Sequence, residues 1–260
     1  MAWADGARRD LPWRRTRDPW AVLVSELMLQ QTQVPRVVPR YEEFLSRFPT
    51  PAAAAVAGVA ELVRAWAGLG YNRRAVNLHR AAVEIVDRHG GELPRTFDQL
   101  LALPGVGPYT ARAVLAFAFE ADVGVVEVNS ARVLARAAAG RRLSAGEAQA
   151  LADRLVPEGR GWAWNQAMLD LGATVCTKAA PRCGGTRQSA FAGSDRQGRG
   201  RLVDALRRAP VPEGDLAAAA GWPDQPERAA RVAAGLVADG LAAVVDGALV
   251  LPDTLVLPDK

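Results

Sequence analysis

Glu26 stands in an otherwise apolar run, Leu23-Val24-Ser25-Glu26-Leu27-Met28-Leu29. A carboxyl group in such surroundings is penalised in its charged form, so its pKa rises and it can serve as a general acid at neutral pH. A second chemical signal is Leu103-Pro104-Gly105-Val106-Gly107-Pro108-Tyr109-Thr110, with apolar helix positions before it and Ala111–Phe119 after it. Two glycines two apart permit a tight hairpin whose backbone N–H groups approach a phosphate closely. The N-terminus of the following helix adds the positive end of its dipole. The chain has two cysteines, Cys176 and Cys183. They are too few for a disulfide framework and suit a reducing compartment.

The elements that must position these groups read as helices almost throughout the first 176 residues. Apolar residues recur at spacings of three and four in Val22–Leu29, Val37–Phe44, Ala60–Trp66, Ala75–Val86 and Ala111–Phe119. Pro and Gly clusters interrupt them near residues 49–51, 68–70, 90–94 and 104–108. The expectation is an all-α body. Residues 184–200, rich in Gly, Arg and Ser, read as a basic linker. Residues 201–257 then read as a small winged-helix-like module: short helices at Leu202–Arg207 and Leu216–Ala220, a longer one at Pro226–Asp239, and a hairpin of Leu241–Val245 and Ala248–Leu251 around Asp246-Gly247.

Charge is distributed unevenly. Residues 1–208 carry a net of about +9 and residues 209–260 about −5. Lys178, Arg182, Arg187, Arg196, Arg199, Arg201, Arg207 and Arg208 face only Asp195 and Asp204 within 178–208. A basic body is a footprint for a polyanion, whereas the acidic tail suits packing or protein contact better than DNA. With no signal-peptide pattern and no run of eighteen uninterrupted apolar residues, a soluble cytoplasmic, nucleoid-associated protein is expected.

Taken in order, Leu11–Arg14, Ser25–Val34, Gly68–Tyr71, the Gly105 hairpin, Asn129 with Arg132–Arg136, and Asn165–Ala173 resemble the helix-hairpin-helix DNA glycosylases of the endonuclease III superfamily. Within them the match is to the MutY-type adenine glycosylases, and Met28-Leu29-Gln30-Gln31-Thr32 is its most specific string. The resemblance implies a glycosylase domain over 1–183 with its hairpin at about 97–119. It implies monofunctional hydrolysis of the N-glycosidic bond of adenine mispaired with 8-oxoguanine or guanine in double-stranded DNA, by a monomer and without a membrane.

By the same resemblance Glu26 is the acid that protonates the base. Glu127, two positions before Asn129, holds the place of the second carboxylate, where the family has aspartate; one protonated and one ionised carboxyl is the general logic of glycosyl cleavage. Asn129 completes that group. Tyr109 occupies the position where bifunctional relatives carry a Schiff-base lysine, and a phenol cannot form an imine. Arg9, Trp13, Arg14, Leu29 and Gln166 match positions around the flipped adenine. Gln31 matches the wedge that enters the base stack, Tyr71 an aromatic beside the oxidised guanine, and Thr32, Gly105, Val106, Gly107 and Thr110 further DNA contacts. Asn72 stands where many members have a second tyrosine. A monovalent cation at the hairpin is also implied.

Two departures limit the match. Most members bind a [4Fe–4S] cluster through Cys-x6-Cys-x2-Cys-x5-Cys; here Cys176 and Cys183 are followed by Thr186 and Ala192 at the third and fourth places. Two thiolates cannot complete a four-cysteine site, so no cluster and no other metal is expected, and the basic run after Cys183 is left to supply phosphate contact. The C-terminal module also lacks the pattern of the Nudix-like domain that reads 8-oxoguanine. Two alternatives therefore stay open: excision of thymine or uracil opposite G, and a catalytically weak DNA-binding relative.

Overall fold

A computed structural model describes residues 6, 8–176 and 193–252 of the 260. The body is helical, as the periodicity predicts: α1 (Pro19–Leu29), α2 (Val34–Arg47), α3 (Pro51–Ala65, kinked at Gly58), α4 (Arg73–His89), α5 (Phe97–Ala102), α6 (Pro108–Phe117), α7 (Val128–Val133), α8 (Ala145–Leu155) and α9 (Gly161–Thr174). A π-helical stretch, Leu134–Ala139, continues α7. Start signals are plain in the sequence. Thr50 caps α3 with Pro51 at its first position, and Ser144 and Glu147 form a capping box on α8. Among the described residues no helix is long and apolar enough to cross a membrane.

The chain after residue 193 holds α10 (Asp195–Leu206), α11 (Leu216–Ala220) and α12 (Pro226–Ala238), with strands β1 (Val211–Pro212), β2 (Ala243–Val245) and β3 (Ala248–Val250). The strands form one antiparallel sheet in the order β1-β3-β2. Asp246 and Gly247 both take positive φ, 50° and 72°, as a two-residue hairpin turn requires. The expected succession of three helices and a hairpin is present, with β1 as an addition.

The expected linker is corrected at its C-terminal end. Ser194 accepts a hydrogen bond from the Gln197 N–H, and helix begins at Asp195 rather than at Leu202. Gly198 and Gly200 disguise it, since each glycine costs a helix about 1 kcal/mol relative to alanine. Gly198 is required by packing: a Cβ there would fall 2.0 Å from the Trp222 ring. Residues 184–192 lie outside the described residues.

The chain folds as two compact units interleaved in sequence rather than consecutive. The first comprises residues up to Leu27 together with Leu93–Gly184; the second comprises Met28–Glu92 with Gly185–Lys260. In the first unit α9 packs on α6 and α7, and α5 on α6. In the second, α3 packs along α4, while α10 packs on α11 and α12. Phe44 and Trp66 meet edge to face in the second unit's core, with ring centroids 5.9 Å apart.

One buried side chain organises two loops of the second unit. Arg74 donates to the carbonyls of Met28 (2.8 Å), Gln30 (2.6 Å), Leu69 (3.2 Å) and Gly70 (2.9 Å), and to Thr32 Oγ1 (2.9 Å). Burial brings its pKa down to about 10, which still leaves it charged at neutral pH. Arg74→Ala would strand several buried carbonyls, so a loss of about 3 kcal/mol or more in urea unfolding is expected. Arg74→Lys should restore only part of it, because an ammonium cannot reproduce the planar fork.

Candidate active site

Glu26 lies on the inner face of α1 and is only 6% exposed. Tyr109, in the first turn of α6, hydrogen-bonds to its carboxyl group. Burial raises the Glu26 pKa to about 7; the Tyr109 hydrogen bond and the Arg14 charge pull it down, and Glu127 pushes it up. Tyr109 is itself driven well above its ordinary value, by burial and then by the charges of Glu26 and Glu127. The phenol therefore stays a donor while Glu26 is poised between its two forms. A buried carboxyl group near pKa 7 is a proton donor suited to neutral pH.

Glu127 is placed by a helix start. Its Oε1 accepts from the Ser130 N–H (3.0 Å), and the Ser130 hydroxyl accepts from the Glu127 N–H (2.9 Å), a capping box that fixes the N-terminus of α7. Its Oε2 accepts from Asn129 Nδ2 at 3.1 Å. Asn129 Oδ1 in turn accepts from Arg132 Nη2 (2.8 Å), which also donates to the Gly172 carbonyl (2.6 Å). Gly172 on α9 lets this group form. A Cβ there would sit 2.7 Å from the Asn129 Cβ and 2.8 Å from the Asn129 backbone. Glu26, Tyr109, Glu127 and Asn129 thus all belong to the first unit, with Glu26, Tyr109 and Glu127 electrostatically coupled.

Arg9 and Arg14, expected around the base, converge on Asp170. Arg14 makes a bidentate pair with it, Nη1 to Oδ2 at 2.8 Å and Nη2 to Oδ1 at 3.0 Å, and Arg9 Nε reaches Oδ1 at 2.5 Å. Burial opposes the charge on Asp170, but the two guanidinium groups outweigh it and hold its pKa below the ordinary value. The Arg14 fork is therefore occupied by Asp170. Asp170 lies within the Asn165–Ala173 motif, which by itself assigns it no role. A charged residue at an otherwise inward-facing position of α9 was the available signal. Asn165 is similar: Oδ1 accepts from the Val125 N–H and Nδ2 donates to the Val123 carbonyl, both at 2.8 Å, tying α9 to the loop before Glu127.

Trp13 is buried in a short 3-10 turn, Pro12–Arg14. Gln166 is 4% exposed, and its Oε1 has no hydrogen-bond partner among the described residues. A buried acceptor left unpaired costs about 1–3 kcal/mol, so a ligand with a matching N–H donor would be favoured there.

At the hairpin, Gly105 makes the turn at φ 80° and Gly107 caps α6 in extended conformation. The earliest helical bond is from the Ala111 N–H to the Gly107 carbonyl, so the N–H groups of the preceding turn have no acceptor within the helix. One expected contact is corrected: Val106 is buried and spends its N–H on the Leu103 carbonyl (3.1 Å). Thr110, in the first turn of α6, is 2% exposed.

The remaining candidates belong to the second unit, including Leu29 at the end of α1, which is half-buried. Gln31 and Tyr71 are exposed and take positive φ, 55° and 46°, unusual for residues with side chains. Thr32 is corrected: its hydroxyl donates to the Leu69 carbonyl (3.1 Å) and accepts from Arg74, so it holds the loops together. Asn72 is buried and accepts from Arg207 Nη2 at 2.9 Å.

Cys176 is half-buried, and its Sγ lies 3.5 Å from Arg136 Nη1. Cys183, Thr186 and Ala192 lie outside the described residues. The donor set of the whole chain, two cysteines, does not fit a four-thiolate cluster.

Residues 24–158 match the family of HhH-GPD superfamily base excision DNA repair proteins. The sequence is 43% identical over 264 residues to the adenine DNA glycosylase of Mycolicibacterium smegmatis, spanning 93% of this chain and 90% of that one. It is 41% identical to the adenine DNA glycosylase of Mycobacterium tuberculosis, spanning 97% and 92%. The chain belongs to the adenine DNA glycosylase family. Among solved structures it is similar to a thermostable thymine-DNA glycosylase, with 30% identity and a TM-score of 0.65 over 69% of this chain and 85% of that one. A trapped endonuclease III–DNA covalent intermediate shares the fold, at 24% identity and a TM-score of 0.62, over 70% and 85%. The helix-hairpin-helix resemblance read from the motifs is borne out.

The Glu26 pKa sets two pH dependences. The single-turnover rate should fall as pH rises through about 7, where the acid form is lost. In stability, the folded state keeps a proton that the unfolded chain releases near 4.5. The contribution is therefore full below about 4.5 and lost as pH rises through about 7. Relative to Glu26→Gln, the wild-type chain should lose about 3 kcal/mol between pH 4.5 and 8 in chemical denaturation. Equal pH slopes in the two proteins would contradict the assignment.

Proposed function

We propose that this chain is a monofunctional adenine DNA glycosylase that hydrolyses the N-glycosidic bond of adenine opposite 8-oxoguanine or guanine in duplex DNA. The observation that carries the reading is the buried Glu26 carboxyl, with a pKa near 7 and a hydrogen bond to Tyr109. Glu26 gives its proton to the adenine ring, making the base a neutral leaving group. As the glycosidic bond breaks, positive charge develops on the sugar, and the Glu127 carboxylate, oriented by Asn129 and the α7 cap, stabilises it. Water then adds at the sugar carbon, and the proton it releases returns to the Glu26 carboxylate, restoring the acid. With tyrosine at position 109 no amine is placed to form an imine, so no strand cleavage accompanies excision.

Adenine's exocyclic amine is a donor of the kind that Gln166 Oε1 lacks. Trp13 and the paired Arg9 and Arg14 stand beside the base. The first-turn N–H groups of α6, with Gly105 and Gly107, hold a phosphate, with a monovalent cation at the hairpin carbonyls. Gln31 and Tyr71 enter the base stack; extruding a nucleotide costs a few kcal/mol, which such contacts offset. The enzyme works as a monomer in the cytoplasm, on the nucleoid.

Single-turnover assays on A:8-oxoguanine, A:G and T:G duplexes test the reading. Adenine release is expected from the first two, falling at least about 100-fold in Glu26→Gln. Absence of release from all three, or release of thymine alone, refutes it. We further propose that the enzyme needs no iron–sulfur cluster. Purified protein should be colourless, without absorption near 400 nm and without bound iron; a brown, iron-containing sample refutes this.

A further inference from the structure

The second unit contains a cavity of about 1130 Å³, of which the proposed function uses only Gln31 and Tyr71. Gln31, Thr32 and Tyr71 line it, and so does α10, the helix hidden in what the sequence presents as a linker. Six arginines and two aspartates face this space, a strongly cationic balance. Two of the arginines are consumed by the fold: Arg74 by the loop carbonyls, and Arg207 by Asn72, Asp204 and the Val63 carbonyl. Those last bonds fix α10 against the ends of α3 and α4.

Arg196 and Arg199 are placed differently. Arg196 Nη1 donates to the Tyr71 hydroxyl at 3.3 Å, so it steadies an exposed aromatic ring at the rim. Arg199 and Arg73, from distant parts of the chain, both pair with Asp239, Arg73 at 2.9 Å. Two guanidinium groups sharing one oxyanion is the arrangement that a phosphodiester also satisfies, because its paired oxygens match the guanidinium fork. The Asp239 carboxylate thus holds both guanidinium groups at the cavity lining.

We propose that α10 is a DNA-binding element, with Arg196 and Arg199 gripping phosphates of the duplex at the mouth of this cavity and Arg196 also positioning Tyr71. The assignment rests on the glycosylase reading for its ligand. These contacts are to the backbone, so they raise affinity for matched and mismatched duplexes alike.

The test is fluorescence anisotropy with the full chain carrying Glu26→Gln, using one matched duplex and one A:8-oxoguanine duplex over a range of KCl. Arg196→Ala with Arg199→Ala should weaken binding to both duplexes by roughly 100-fold at low salt, about tenfold per charge-assisted contact. It should also flatten the slope of log Kd against log salt by about 2. The double lysine variant should keep the slope. Arg88→Ala, which removes an exposed arginine paired with Glu84 outside the cavity, should leave binding unchanged. The Arg196→Gln with Arg199→Gln pair gives the same reading should alanine unsettle the fold. An unchanged slope, a loss confined to the mismatched duplex, or an equal loss with Arg88→Ala overturns the proposal. Excision by the wild-type chain is scored separately. Adenine release with an unaltered slope defeats only the role of α10, whereas a lost slope without release by the wild type defeats only the glycosylase reading.

Discussion

A carboxyl group taken out of water in the middle of a helix must be protonated, paired or solvated by the protein, and Glu26 is held among these outcomes. Burial alone would neutralise it. Tyr109 and Arg14 restrain that tendency, and Glu127 renews it. The other features of the first unit serve this balance. The bidentate hold of Asp170 on Arg14 sets how much positive charge Glu26 feels, and the capping box at Glu127 sets how much negative charge. The position of Tyr109 follows from the hairpin, since the turn at Gly105 decides where the first turn of α6 begins.

Arginine does two unlike jobs in this chain, and burial separates them. Arg14 and Arg74 are buried and spend their donors on internal acceptors, where the rigid planar fork orders several segments at once. Around the cavity of the second unit, half-buried and exposed arginines keep their charge near solvent, where it can meet a polyanion. The count of basic residues is silent about this division, because the two groups have the same composition.

Much of the site was legible because local pattern and chemistry coincide there. Glu26 was marked by its apolar neighbours, the hairpin by its glycines, and the helices by apolar periodicity and capping residues. What escaped depended on distant partners. Asp170 gains meaning only when Arg9 and Arg14, more than 150 residues away, come back to it. Thr32 and Val106 look available in sequence and are consumed by bonds to Leu69 and Leu103. The helix at Asp195 was hidden because its glycines were read as flexibility, whereas one of them makes room for the Trp222 ring. The interleaving of the two units was equally unreadable, since both are built from helices of the same pattern.

The absent Cβ of Gly172 has a genetic consequence. Every missense change at a glycine codon adds at least a β-carbon, and here even the smallest addition collides with the Cβ and backbone of Asn129. Substitutions as different as serine, valine and aspartate would converge on one lesion, a shifted N-terminus of α7 and a misplaced Glu127. Disruption at this codon is therefore graded by the displacement of Asn129 rather than by the chemistry of the incoming side chain.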